Sequence, residues 1–192
     1  MATSPKEGKL IYHLTSFDNL ESILRNGLIS RSDLANFDDV AEKEIINHRE
    51  LMGLNGFVPF HFFGGNPFDG AVQKTHSDKT FIFLTLHRSF AQKKKFKILI
   101  QHPLSLIDCE PLSYSEGFDA IDWEIMELRD YSNHKCREIC MAECLSPATI
   151  SPRDFFCIYT PNQDINNKVI KLRNAILGEN AFYVNVNSTL FL

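Results

Sequence analysis

Three features of the chain predict an α+β fold. Short strand-like runs alternate irregularly with helical runs, which is not the regular alternation of a doubly wound sheet. Aromatics make up 11% of residues, most of them among 16 Phe, and aromatic side chains pack well on pleated surfaces. The chain has neither GxGxxG nor a Walker sequence, so NAD binding of the Rossmann kind is not expected. At 192 residues it is expected to form one domain, spanning 1–192.

Taken in order, Leu10 to Leu14 reads as a short strand. Asp18 is placed to cap a helix with Leu20, Ile23 and Leu24 on one face. Asn26-Gly27 stops that helix, because glycine accepts a left-handed conformation. Leu28 to Ser30 is a short extended piece, and residues 38–51 form a second helix with Val40, Ile45 and Ile46 as apolar members. Phe57 to Phe63 is an aromatic strand, and Pro59 within it predicts an edge strand or a strand beginning.

Gly64 to Pro67 turns the chain into a helix from Pro67 to Lys74. Thr80 to Leu86 and Phe96 to Gln101 are strands, whereas Pro103 to Ser115 carries no clear pattern. Ala120 to Leu128 fits strand or helix equally. The tail predicts a strand at Phe155 to Thr160, a helix at Asp164 to Leu177 and a strand at Ala181 to Val186.

Composition narrows the function. No window approaches the roughly 20 apolar residues needed to span a bilayer, and no apolar leader follows Met1, so a cytoplasmic protein is expected. Five Cys, an odd number, argue against a disulfide framework. Cys136, Cys140 and Cys144 would share one face of a helix, but their flanking residues do not form a zinc pattern, so no metal is expected. A net charge of −4 is not the footprint of a broad basic nucleic-acid surface. The dense basic run Lys93-Lys94-Lys95-Phe96-Lys97 reads by itself as a solvated loop before a strand.

A few residues have chemical potential. His13 and Thr15 lie two apart on a strand, so both face one side and would line one wall of a cleft. A hydrogen-bonded His at a sheet margin fits the same pattern. Glu143 sits in Ile139-Cys140-Met141-Ala142-Glu143-Cys144-Leu145, where a carboxylate is costly unless paired or used. A structural Glu on a helix face is the alternative, and Arg137 and Glu138 just before it would form a local ion pair. Arg49 beside His48 is ordinary surface decoration if taken alone, and Trp123, the only Trp, is a core anchor.

The order of these pieces is more informative than any one of them. Ile11-Tyr12-His13-Leu14-Thr15 is followed by Asp18-Asn19-Leu20 and by Ile23 to Arg31 with its Gly27-Leu28. Then come Ile46-Asn47-His48-Arg49, Phe57-Val58-Pro59-Phe60-His61-Phe62, Ile121-Asp122-Trp123 and Arg137 to Leu145 with Ala142-Glu143. From about Ile11 to Thr160 this set resembles the DarT family of toxin ADP-ribosyltransferases, which modify bases in DNA.

The resemblance implies a split antiparallel-sheet ADP-ribosyltransferase fold around an NAD cleft. Two small sheets would flank the cleft, with His13 and Glu143 on adjacent strands facing it. It implies NAD as co-substrate, with His13, Thr15, Asn19, Gly27, Leu28 and Arg31 framing it and Phe60 or Phe62 under the nicotinamide. Glu143 and Arg49 match the family's catalytic pair, and the segment between Arg31 and Arg49 corresponds to a helical element over the NAD. Single-stranded DNA is the implied acceptor, with RNA or a protein side chain as alternatives and a cognate antitoxin as partner.

The chain departs from the family pattern at several points. His48 stands where the family has the first Arg of a pair, and His61 where it has Tyr. One extra residue separates Arg137 from Ala142, and the last thirty or so residues have no recognised counterpart. On the His48 departure and the acidic charge, a catalytically inactive NAD-fold binding module is the reading from another class.

Overall fold

The computed structural model describes residues 4–34, 43–105 and 110–192, with backbone alone at 43–46. Strand β1 (Leu10–Ser16) leads into helix α1 (Leu20–Asn26), and α2 (Lys43–Leu51) precedes β2 (Val58–His61). Next come α3 (Pro67–Thr75), β3 (Phe81–His87), α4 (Arg88–Lys93), β4 (Lys97–Leu99) and β5 (Leu112–Ser113). Three short helices follow, α5 (Tyr114–Ala120), α6 (Trp123–Leu128) and α7 (His134–Ile139), then β6 (Glu143–Ser146) and β7 (Cys157–Thr160). Helix α8 (Gln163–Leu177) and strand β8 (Tyr183–Val186) complete the order.

The strands form one eight-stranded sheet in the order β5-β4-β6-β2-β1-β3-β7-β8. Neighbours are antiparallel except β7 and β8. Two separate sheets were expected, but hydrogen bonding runs across the whole. The split survives as a seam. β1 meets β3 at every residue from Leu10 to Ser16, yet meets β2 only at Tyr12↔His61.

Of the two expectations for Pro59, the edge strand fails, since β2 is a central strand between β6 and β1, whereas the strand beginning holds, Pro59 being its second residue. The Pro59 carbonyl turns toward β1, where it accepts the His13 ring N–H. Its missing N–H therefore falls on the same side, at the seam, where no ladder bond is lost.

Local chemistry explains most boundaries. Ser16, not Asp18, caps the chain after β1: its side chain accepts the Asp18 N–H and starts a 3-10 turn at Phe17–Asn19. α1 buries Leu20, Ile23 and Leu24 and ends at Gly27, whose φ of 91° is positive but whose ψ of 167° is extended rather than left-handed. A Cβ there would approach Thr149 Cγ2 to 2.6 Å, so glycine is required by both φ and contact.

Asn66 and Asp69 close a capping box at α3, with Pro67 in its first turn. The ambiguous run before Leu128 is helical from Trp123, whose indole donates to the Phe118 carbonyl. α7 ends before Glu143, so Cys136 lies in the helix, Cys140 at its cap and Cys144 on β6, rather than all on one helical face. Of the expected second helix, Lys43–Leu51 is observed, and Val40 lies outside the described residues.

The two faces of the sheet are covered unequally. One carries the main core, where Ile11, Phe60, Leu84, Ile98 and Ile158 meet α1, α6, α7 and α8. The other has two smaller clusters. Leu14, Phe81 and Phe83 pack with Val72 of α3 and with Phe191, and Leu99 and Leu145 pack with Leu54. Among the described residues, no helix is long and apolar enough to cross a membrane.

Candidate active site

Glu143 opens β6 directly opposite His61 of β2 and Leu99 of β4. Residues paired across antiparallel strands share a face. Leu99 belongs to one of the small clusters and Tyr12, the other partner of His61, to the second. Glu143 and His61 therefore stand between those clusters, on the thinly covered face and beside the seam.

Arg49, from the last turn of α2, reaches this point and donates Nη1 to Glu143 Oε2 at 2.5 Å. Each residue of the pair is only 6% exposed. Among the described residues the other contact of Arg49 is a long one, Nη2 to the Leu54 carbonyl at 3.5 Å. Glu143 Oε1 makes no hydrogen bond among the described residues. A buried carboxylate this sparsely bonded, held by a single cation, keeps capacity for a ligand hydroxyl.

Imidazoles surround the pair. His61 donates Nδ1–H to the Ala142 carbonyl at 3.1 Å, and burial lowers its pKa while the nearby Glu143 opposes the shift. Burial pulls His102 down to about 4, with Glu143 raising it and His61, Arg49 and His48 lowering it. The His102 Nδ1 accepts the Leu104 N–H, so its proton is on Nε2. His48 donates Nε2–H to the Pro103 carbonyl, joining α2 to the turn that carries His102.

His13 stands apart from Glu143 in one respect: β2 lies between their strands, so they are not adjacent as expected. Alternation also sends its side chain toward Phe60, 5.6 Å between ring centroids, rather than to the face of Glu143. His13 instead plugs the seam, with Nδ1–H on the Pro59 carbonyl at 2.8 Å. Burial depresses it to about 4, the Pro59 carbonyl opposes this, and His61 and Arg49 add to it, so the three polar residues share one electrostatic neighbourhood.

Of the remaining expected residues, Thr15 is buried and accepts from Asn19 Nδ2 at 3.3 Å. Leu28, next to Gly27, bridges Ile150. Arg31 opens a 3-10 turn that packs on the turn Leu54–Gly56, beside the carbonyl that Arg49 touches. Phe60 and Phe62 are both core residues, and Phe62 is enclosed by Phe118 and Trp123. Glu138 is held on α7 by His134 at 3.4 Å, not by Arg137. The sequence reading missed His102, which lies in the unpatterned stretch after β4. Only its proximity in space to Glu143 reveals it.

The site is thus a buried carboxylate–guanidinium pair beside the one parting of a mixed sheet. A family profile described as ssDNA thymidine ADP-ribosyltransferase, DarT, matches residues 12–191, and the chain belongs to that family. The match takes in the final residues, for which no counterpart was expected. No curated protein matches.

Among solved structures, Thermus sp. 2.9 DarT in complex with ADP-ribosylated ssDNA is similar at TM-score 0.84 and 20% identity, with 100% of each chain covered. The same Thermus protein in complex with NAD+ matches at TM-score 0.78 and 19% identity, over 97% of this chain and 98% of that one. Thermosipho africanus DarTG in complex with ADP-ribose matches at TM-score 0.74 and 20% identity, over 95% of this chain and 51% of that one.

Proposed function

We propose that this chain transfers the ADP-ribosyl group of NAD+ to thymidine in single-stranded DNA, using the Arg49–Glu143 pair as its catalytic centre. One observation carries the assignment of residues: a buried Glu held through a single oxygen by a buried Arg, beside the seam of the sheet. NAD+ supplies the ADP-ribosyl group and nicotinamide as the leaving group. Glu143 uses Oε1 to accept a ribose hydroxyl, and its charge favours the positive charge that develops on the ribose as nicotinamide departs. Arg49 keeps that carboxylate oriented and turns its other donors to the acceptor base.

His13, with Nδ1 committed to Pro59, offers Nε2 to the co-substrate from the seam. Thr15, Asn19, Gly27, Leu28 and Arg31 frame the rest of the co-substrate. Lys97 shares the sheet face of Leu145 and Glu143, and with the exposed Lys93, Lys94 and Lys95 it contacts DNA phosphates. A single strand is preferred because the ring nitrogens of paired bases are out of reach. A cognate antitoxin is the protein partner, a reading supported by the likeness to DarTG.

Labelled NAD+ with separate pools of single-stranded DNA, duplex DNA, RNA and protein tests the reading. Label should enter only single-stranded DNA that contains thymidine, and cells should tolerate Glu143→Ala better than the native chain. Label confined to RNA or protein, or nicotinamide release that no acceptor stimulates, would replace it.

A further inference from the structure

We infer that His61 is the base that receives the thymine N3 proton as the new bond forms, an assignment that rests on the transfer to thymidine proposed above. In a thymidine the N1 position is already bonded to deoxyribose, so N3 is the only ring nitrogen left to attack. N3 bears a proton, and no neutral product forms until something removes it. A base supplied by the chain beside the reacting atoms would speed that removal.

The structure leaves His61 as the suitable group. Its Nδ1–H is committed to the Ala142 carbonyl, which can only accept. The tautomer is thereby set, with the lone pair on Nε2, and Nε2 makes no hydrogen bond among the described residues. His61 lies directly across from Glu143 in the strand register.

Its neighbours do not compete for the task. Glu143 has Oε2 on Arg49 and, in the function proposed above, Oε1 on a ribose hydroxyl, and a guanidinium holds its protons at any ordinary pH. Tyr12, opposite His61 on β1, has its phenol pushed up by burial and stays protonated. His102 presents an N–H rather than a lone pair, because its Nδ1 accepts from Leu104. His13 presents a lone pair but leaves the other face of the sheet, toward Phe60.

From α3, the Phe68 ring lies 5.4 Å from the imidazole, with Asp69 next to it in the helix. Burial keeps His61 neutral, so its lone pair is available at pH 7, while Glu143 would stabilise the imidazolium once formed.

The step balances. The bond between the ribose C1′ and the nicotinamide nitrogen breaks, and its electron pair leaves with neutral nicotinamide. The N3 electron pair forms the new C1′–N3 bond, and the N3 proton passes to His61 Nε2. The imidazolium then releases that proton to water after the product departs.

His61→Asn tests the assignment, because the shorter amide keeps an N–H for Ala142 and lacks the distal nitrogen. Transfer to a thymidine-containing single strand should fall by about 10²–10³, within the range for one general base, while the NAD+-induced thermal shift persists. The deficit should shrink with 5-fluorodeoxyuridine as acceptor, whose N3–H is more acidic and needs less help; a merely structural role would depress both acceptors equally.

In the wild type, transfer should fall only when acid enters the range below the ordinary imidazole pKa, and ¹⁵N NMR should show a neutral Nδ1–H tautomer for His61. Wild-type rates in His61→Asn, equal deficits on the two acceptors, or an Nε2–H tautomer would each overturn the assignment. A wild type that modifies no thymidine at all would refute the functional reading instead, and the two failures are thus separable.

Discussion

Two arginines are buried to nearly the same depth, Arg49 at 6% exposure and Arg88 at 7%, and they are held in opposite ways. Arg88 donates to the carbonyls of Leu10, Lys6, Pro5 and Phe62 and lies within 6 Å of the rings of Phe62, Phe118 and Trp123. Among the described residues no carboxylate forms an ion pair with it, and Glu7 acts on it only at a distance; backbone oxygens and ring faces replace water, and burial still lowers its pKa. Among the described residues Arg49 has one carboxylate oxygen and one distant carbonyl. The difference separates a brace from the proposed reactive centre. A guanidinium with four of its five N–H groups on carbonyls pins the N-terminal segment, the start of β1 and the residue after β2 to α4 and has little left for a ligand. One held by a single carboxylate leaves donors, and a carboxylate oxygen, for chemistry.

Acid should separate the two sites most widely. His13 and His102, both in the Arg49 neighbourhood, are depressed from 6.5 to about 4 by burial. Such groups contribute stability that is complete above pH 6.5 and is lost as the pH falls through 4. Each unit of depression corresponds to about 1.4 kcal/mol. The carbonyls and rings around Arg88 do not titrate in that window. Urea unfolding from pH 7 to 4.5 should show a steeper acid loss in the wild type than in a His13→Gln/His102→Gln double variant. Parallel curves would locate acid sensitivity elsewhere.

Charge removal comes next. Glu143→Gln preserves shape and removes the charge that acts in the transition state, so transfer should drop by about 10²–10³ with NAD+ affinity nearly unchanged. Rates on single-stranded thymidine DNA check this, and full activity would mean that the carboxylate is structural.

Arg88→Met should do the reverse. Four carbonyls lose their donor, and the deeper ones stay out of water, so stability should fall by about 2–3 kcal/mol while activity per folded molecule is retained. A urea titration paired with an active-site count measures both, and activity loss without instability would erase the contrast.

The smallest effect belongs to the rings. Phe118→Leu keeps apolar bulk but removes one π face from Arg88, and should cost about 1 kcal/mol. An unchanged urea midpoint would assign all of the bracing to the carbonyls.

Legibility in the sequence followed the range of the forces involved. The strand at Leu10, the buried stripe of Leu20, Ile23 and Leu24, the Asn66-Pro67 helix start and the long C-terminal helix all arise within a few residues, from periodicity and capping. Where a local rule met a tertiary exception, the reading failed. The edge alternative for Pro59 failed, though it does sit at a strand beginning, because the side of Pro59 that lacks an N–H faces a gap, and that gap exists only because β1 and β2 barely pair. Ser16 displaced Asp18 as cap because β1 runs further than its hydrophobic pattern suggests.

Residue types and their order along the chain determined the α+β class, several of its elements and the resemblance that placed Glu143 and Arg49 together. Tertiary structure decided the rest. It put β2 between His13 and Glu143, set His61 across from that carboxylate, and brought His102 to it from an unpatterned loop. Arg49 and Glu143 are 94 positions apart, so nothing in their local sequence could say that they touch. Side-chain periodicity is dictated by the backbone of a single segment. Strand order and register depend on which distant segments bury their apolar faces together, and that is settled only when the whole sheet assembles.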